Sequence, residues 1–454
     1  MLKAETLYHS TNFKAPGVTF REALLKGLAP DGGLYMPRRL PIFTPRELEE
    51  ISGLSYPLLA SEIVGRILGK EIDINDLEKI CSEIYNFTVP VEGISEGKYL
   101  LRLDQGPTAS FKDFAALLMG RLMQYYLRLD KRHITILTAT SGDTGSAVAN
   151  AFHGLENIRV VILFPSGEVT DLQRKQMTTF SDNIVAAEIN GKFDDCQRLV
   201  KMAFMDPELS GINLSSANSI NIGRLLPQSV YYFRAWAAIS GKPGDQITFS
   251  VPSGNFGNLS GGLLARGMGL PVKRFVAATN TNDEVPRFLK TGTYTPVSPS
   301  RNCISSAMNV GHPSNLSRII SLYEGRMDEK GTITKPPDIR RMKQDLYATS
   351  ISDTLTRDTI RSFYMQYGKT LEPHGAVAWA GLMKYTGEKT ETGGDLFVSL
   401  ETAHPAKFRD EIKSILDIEP VLPDSLSRIE SRPEEYISLE NNYDQFKKLL
   451  IQNY

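Results

Sequence analysis

The chain has 454 residues, more than one hydrophobic core organises, so it is expected to fold as two or more lobes. Hydrophobic residues at 41% and charged residues at 23% match a soluble globular protein and argue against a disordered or membrane-spanning one. Lys and Arg total 51 against 52 for Asp and Glu, and with no basic block the phosphate backbone of nucleic acid is excluded as a partner.

The first segment, MLKAETLYHSTNFK, lacks the apolar stretch of a signal peptide, and no apolar run approaches the ~18 residues of a membrane span. With Cys81, Cys196 and Cys303 far apart and without paired spacing, neither a disulfide framework nor a metal site is expected. The cytoplasm is the expected compartment. Residues 1–95 read as a mixed N-terminal unit with helices at REALLKGL and LASEIVGRIL. Short β-branched runs follow at 133–139 (HITILTA), 159–165 (RVVILFP), 183–189 (NIVAAEI) and 211–217 (GINLSSA). Each is bounded by turn-forming residues, as buried strands are. Between them TGSAVANAFHG, TDLQRKQMTTF and FDDCQRLVKMAF repeat apolar residues at helical intervals. Alternating strands and helices require crossovers onto a parallel sheet, so 116–215 is expected to form a smaller α/β lobe. The pattern returns at QITFSVP, SGNFGNLSGG, RFVAAT and DLFVSLE. Residues 96–115 with 216–454 are therefore assigned to a larger lobe, with 327–345 as a surface connection and the stretch after about 410 an appended segment.

In a parallel sheet, ligands collect where the turns after the strands converge. Three turns carry chemistry. In TATSGDTGSA (138–147), the hydroxyls and N–H groups at a helix start either cap the helix or hold a carboxylate. In VPSGNFGN (251–258), Gly254 and Gly257 permit the close backbone approach of an anion cradle. This turn is neither a nucleotide P-loop nor a full dinucleotide pattern. In GPTASFKDF (106–114), Lys112 lies among aromatic and apolar residues. It is either a solvated surface lysine or a desolvated amine able to form a Schiff base.

GPTASFKDF, TATSGDTG, NSIN (218–221), VPSGNFGN, PSN (313–315) and TAHPAKF (402–408), in that order, together with LAPDGGLYMP at 28–37, resemble the threonine synthases among the fold type II pyridoxal-phosphate enzymes. The resemblance runs from about residue 5 to about 410. It implies two parallel-sheet α/β lobes with the cofactor between them. The implied reaction converts O-phospho-L-homoserine and water to L-threonine and phosphate, in a monomer or homodimer. Lys112 then carries pyridoxal 5'-phosphate, and Ser253, Gly254, Asn255, Phe256, Gly257 and Asn258 wrap its phosphate. Asp143 stands where related enzymes carry an asparagine facing the 3-oxygen, and Thr402 meets the ring nitrogen. Thr140, Ser141, Gly142 and Thr144 hold the substrate carboxylate. Asn218, Asn221 and Arg224 are candidates for the leaving phosphate, with capping and a surface salt bridge as the alternatives. The chain departs from the family at Leu103, Asp104 and Gln105, where many members read Phe-His before Gly-Pro-Thr, and at Asn309 and His312. His312, His374 and His404 are expected to shape turns. Another lyase with the same cofactor, or a non-catalytic binding relative, is the alternative to the main reading.

Overall fold

The computed structural model describes residues 7–240, 244–388 and 394–452. The N-terminal region opens with a short antiparallel pair, Tyr8–Ser10 with Tyr35–Pro37, followed by the helices Pro45–Ser52, Tyr56–Leu68 and Ile74–Ile84. Local signals set their limits. Thr44 and Glu47 form a reciprocal capping box, and Pro57 lies in the first turn of Tyr56–Leu68, where its missing N–H costs nothing. Leu59, Ile63, Ile67, Leu77 and Cys81 pack into the common core.

The larger sheet has six strands, in the spatial order Leu346–Ser350, Val272–Thr279, Ile247–Pro252, Leu396–Glu401, Lys98–Arg102 and Val91–Ser95. All neighbours are parallel except the last pair. Ile247–Pro252 is buried along its whole length, as a central strand covered on both faces must be. Val91–Ser95 forms a hairpin with Lys98–Arg102. The expected boundary at residue 95 therefore falls inside a hairpin of the larger lobe, and the N-terminal unit ends earlier.

The smaller sheet has five strands, Ile437–Glu440, Ile184–Asn190, Ile158–Pro165, Ile134–Ala139 and Leu214–Ser216, all parallel. The four β-branched runs read from the sequence are its last four members. The first corrects the expected grouping of 216–454: the chain returns after residue 430, adds Ile437–Glu440 to the edge of this sheet and closes with the helix Tyr443–Gln452. Phe446 and Leu450 of that helix pack among Leu137, Leu163 and Leu199. The expected surface connection at 327–345 contains one arm of a small antiparallel ribbon, Ile333–Lys335 paired with Arg326–Met327, and the helix Ile339–Asp345. No helix of the described residues is long and apolar enough to cross a membrane.

One apolar cluster runs from the N-terminal helices through the 19-residue helix Lys112–Asp130 and into both sheets, through Ile136 on one side and Phe249 on the other. Both sheets thus direct the carboxyl ends of their strands to a common region. Phe446→Ala is expected to lower the stability of the smaller lobe by about 3–5 kcal/mol, read as faster hydrogen exchange in Ile184–Asn190. A loss below about 1 kcal/mol would mean that the closing helix only rests on the lobe.

Candidate active site

Lys112 is the first residue of its helix, and the segment before it is pinned to the chain after Leu396–Glu401. The Phe111 N–H donates to the Thr402 carbonyl at 2.8 Å and the His404 N–H to the Ala109 carbonyl at 3.0 Å, with Ser110 and Ala403 bridged antiparallel. Two of the sequence motifs, GPTASFKDF and TAHPAKF, are thereby one structural unit. Asp113 tightens it, accepting from the Thr108 N–H at 2.9 Å and from Thr108 Oγ1 at 2.5 Å. Burial pushes the Asp113 carboxyl up to about 6, although the Thr108 hydrogen bonds pull it down. Gly106 is needed here because a Cβ would stand 2.5 Å from Asp113 Oδ2.

Asp143 faces Lys112 from the helix Asp143–Phe152 that follows Ile134–Ala139. Lys112 Nζ lies 3.4 Å from Asp143 Oδ2, while Lys407 Nζ lies 2.7 Å from Asp143 Oδ1. Gln173 Nε2 donates to the same Oδ1 at 2.9 Å. Burial alone would raise the Asp143 carboxyl, but Lys407 and Lys112 outweigh it and hold the group well below the carboxylate range. The Lys112 amine is pushed below its ordinary value by burial. Asp143 opposes that shift, and repulsion from Lys407 and Arg224 adds to it.

Thr140 and Gly142 shape the turn instead of lining its opening. Thr140 Oγ1 accepts from the N–H groups of Gly142 and Gly145 at 3.0 and 2.8 Å, so its hydroxyl is engaged within the turn. Ser141 and Thr144 are partly exposed and remain available. The expected phosphate-binding trio is revised in the same way. Asn221 caps the helix Ile222–Leu225 and spends both amide hydrogens on Leu24 and Ser216 carbonyls at 2.9 and 3.0 Å. Asn218 donates to the Ala139 carbonyl at 2.8 Å and so ties the two turns together. Arg224 is buried rather than in a surface salt bridge. It donates through Nη1 to the Ala217 carbonyl at 2.6 Å, and its Nε has no protein partner.

The turn after Ile247–Pro252 has the properties of an anion cradle. Phe256 adopts the left-handed conformation at φ 60° and starts the helix Gly257–Gly267, whose first N–H groups have no partner within the helix. A Cβ on Gly254 would meet the Met308 Cα at 2.7 Å. Asn258 accepts from the hydroxyls of Tyr231 and Tyr232 at 2.7 and 2.6 Å, which leaves its buried Nδ2 aimed without a partner. Ser253 donates to the Val251 carbonyl at 3.0 Å. Asn255 bonds Ser219 Oγ at 2.5 Å and the Ser314 N–H at 2.7 Å, and Asn315 also reaches Ser219 at 3.3 Å. Three further motifs, VPSGNFGN, NSIN and PSN, are thereby joined. Buried Arg318 braces them through the carbonyls of Ser219 and Ile220.

Thr402 Oγ1 donates to Glu372 Oε1 at 3.1 Å. Glu372 also accepts from the N–H groups of His374 and Gly375 at 2.6 and 2.9 Å. Neighbouring Glu401 is pushed well above the carboxylate range by burial and by Glu372. The histidines serve turns: His374 Nε2 accepts from the Ala307 N–H at 3.1 Å, His404 Nδ1 from the Ala406 N–H at 3.2 Å, and His312 pairs with the Tyr294 hydroxyl at 2.7 Å. Gln105, at the departure from the family pattern, bonds Asp104 at 2.9 Å. Lys407, Gln173 and Glu372 were not singled out in the sequence. Lys407 lies inside a recognised motif, but only its burial distinguishes it.

A family model described as "Threonine synthase N terminus" matches residues 7–85, one described as "Pyridoxal-phosphate dependent enzyme" matches 89–400, and one described as "Threonine synthase, C-terminal" matches 376–450. A threonine synthase of Haemophilus influenzae is 40% identical over 445 residues, covering 97% of this chain and 99% of the relative. One of Escherichia coli is 40% identical over 435 residues, covering 96% of each. The crystal structure of a PLP-bound threonine synthase from Brucella melitensis superposes with a TM-score of 0.92 at 35% identity and covers 99% of each chain.

The unpartnered Asn258 amide, the helix start at Gly257 and the desolvated lysine fit the anion and the aldehyde that pyridoxal phosphate would bring. Gly254→Ala is expected to weaken pyridoxal-phosphate binding at least tenfold by pushing the turn off Met308, measured by equilibrium dialysis. Unchanged affinity would remove this turn from the cofactor site.

Proposed function

Because the chain belongs to the threonine synthase family and is a pyridoxal-phosphate-dependent lyase, we propose that its substrate is O-phospho-L-homoserine, converted with water to L-threonine and phosphate, and that Lys112 is both cofactor anchor and proton carrier. The observation that carries the residue assignment is a buried amine with a lowered proton affinity at the strand ends where an anion cradle also opens. Bound pyridoxal phosphate supplies the electron sink that makes the carbon-bound protons of an amino acid removable.

The protein's share is binding, orientation and proton movement. Ser253 through Asn258 hold the cofactor phosphate through backbone N–H groups and the spare Asn258 amide, as the positive end of a helix favours. Thr402 meets the ring nitrogen. Its hydroxyl hydrogen is engaged by Glu372, so toward the ring the oxygen would act as an acceptor. Ser141, Thr144 and the N–H groups at the head of Asp143–Phe152 take the substrate carboxylate.

Arg224, buried and with a spare Nε–H, lends positive potential to the leaving phosphate. In its uncharged form Lys112 Nζ would be a base in a dry site, suited to take the α-proton and return protons at neighbouring carbons. Water must reach the β-carbon only after phosphate has left, so a shielded site has direct chemical value. Partly buried Lys112, with 14% of its side chain exposed, is consistent with that shielding.

The test pairs the absorbance spectrum of the cofactor-loaded protein with product analysis. Wild type is expected to show the visible band of lysine-bound cofactor and to release threonine and phosphate in equal amounts. Lys112→Ala is expected to lose the band and at least about 10²–10⁴-fold of its turnover. Cofactor binding with 2-oxobutyrate as the main product would overturn the substrate and outcome proposed here.

A further inference from the structure

Lys407 is a buried site residue that the reaction described above leaves unused. Its side chain is fully buried, and its ammonium is held by Asp143 Oδ1 at 2.7 Å and by the Thr108 carbonyl at 3.0 Å. Lys112 reaches the other oxygen of that carboxylate at 3.4 Å. Two lysines thus share one buried carboxylate, and the shorter contact belongs to the lysine that does no chemistry. A buried charge is retained where it is paired and hydrogen-bonded, and given up where the pairing is weaker.

We propose that Lys407 is a positioning residue that claims Asp143 as its own counter-ion, so that Lys112 presents an uncharged, nucleophilic amine at neutral pH. The inference rests on Lys112 being the cofactor lysine. Only the uncharged amine has the lone pair that attacks the cofactor aldehyde, forming the C=N bond and releasing one water, so the rate of cofactor loading reports its protonation.

The groups facing this cluster are few. Asp143, Lys407 and Arg224 act on Lys112; Asp143, Asp113 and His404 face Lys407. Arg224 is like-charged and does not compensate Lys112. Asp113 is tied up by Thr108. His404 has its ordinary proton affinity lowered, by burial first, so it adds little positive charge at neutral pH.

The sign follows from the pairing. Without Lys407, Asp143 faces Lys112 alone and stabilises its ammonium form, so loading shifts to higher pH. Without Asp143 the opposite occurs. The experiment follows the rate at which pyridoxal phosphate develops its visible band with apoprotein, from pH 6 to 10, in wild type, Lys407→Met, Asp143→Asn, the double variant and Lys112→Ala.

The profile of Lys407→Met is expected to move up by about one pH unit, which slows loading roughly tenfold on the acid side of the wild-type midpoint and less above it. Asp143→Asn is expected to move it down, and the double variant to lie close to Asp143→Asn, since Lys407 acts through Asp143. An unmoved or lowered profile in Lys407→Met overturns the proposal. Should that variant fail to fold, a double variant whose profile lies about a full unit or more above that of Asp143→Asn overturns it equally, because Lys407 would then act without Asp143. Persistence of the band in Lys112→Ala would instead refute the assignment of the cofactor lysine itself.

Discussion

A short antiparallel bridge between Ser110 and Ala403 holds together most of what this site needs. With the flanking bonds from Phe111 to Thr402 and from His404 to Ala109, it locks the turn before Lys112 against the turn after Leu396–Glu401. A lysine at the head of a 19-residue helix is otherwise free to swing into solvent. Here the backbone ahead of it is tied to the segment that carries Thr402 and Lys407, so the amine, the Thr402 hydroxyl and the Lys407 ammonium share one frame. The Asp113–Thr108 bonds and the missing Cβ at Gly106 serve the same frame, because each lets the Gly-Pro-Thr turn fold back onto the helix start.

The second requirement is that both sheets end at the same place. All strands of the smaller sheet are parallel, as are all but the edge hairpin of the larger one, and parallel strands deliver their following turns to one side. Asp143 comes from the smaller sheet, Lys407 and the cradle from the larger. Asn218, bonded to Ala139, and Ser219, bonded to Asn255, connect the two sets. Asn218 and Asn221, candidates for the leaving phosphate with capping as the alternative, are ties between turns. Asn221 illustrates why: both of its amide hydrogens are consumed, and a saturated donor has nothing left for a phosphate.

Much of this was legible in the sequence, for identifiable reasons. The central strands are continuous β-branched runs because they are covered on both faces, and the crossover helices of the smaller lobe keep one polar face, so periodicity exposes them. The helix Lys112–Asp130 escaped the same reading because it is buried on nearly every side, with Asp113 through Ala116 and Leu118 through Gly120 all inside; an all-round apolar helix has no stripe to detect. Ile437–Glu440 escaped because it is short and largely exposed at a sheet edge. The motifs located Lys112, the cradle and Asp143, since each is a turn chemistry at a strand end. Lys407 could not be located this way: a lysine in a sequence reads as solvated, and only tertiary packing reveals one with no exposed surface.

The charge arrangement explains how an aspartate can be buried beside Lys112. A bare carboxylate at Asp143 would be costly to bury and would hold Lys112 as an ammonium ion. Paired with Lys407 at 2.7 Å and with Gln173 at 2.9 Å, it becomes a compact dipole with little net charge, which a dry site tolerates far better than an isolated ion. That pair also joins the turn after Ile134–Ala139 to the segment after Leu396–Glu401, one from each sheet. The same contact therefore acts on the electrostatics at Lys112 and ties together turns that come from different sheets.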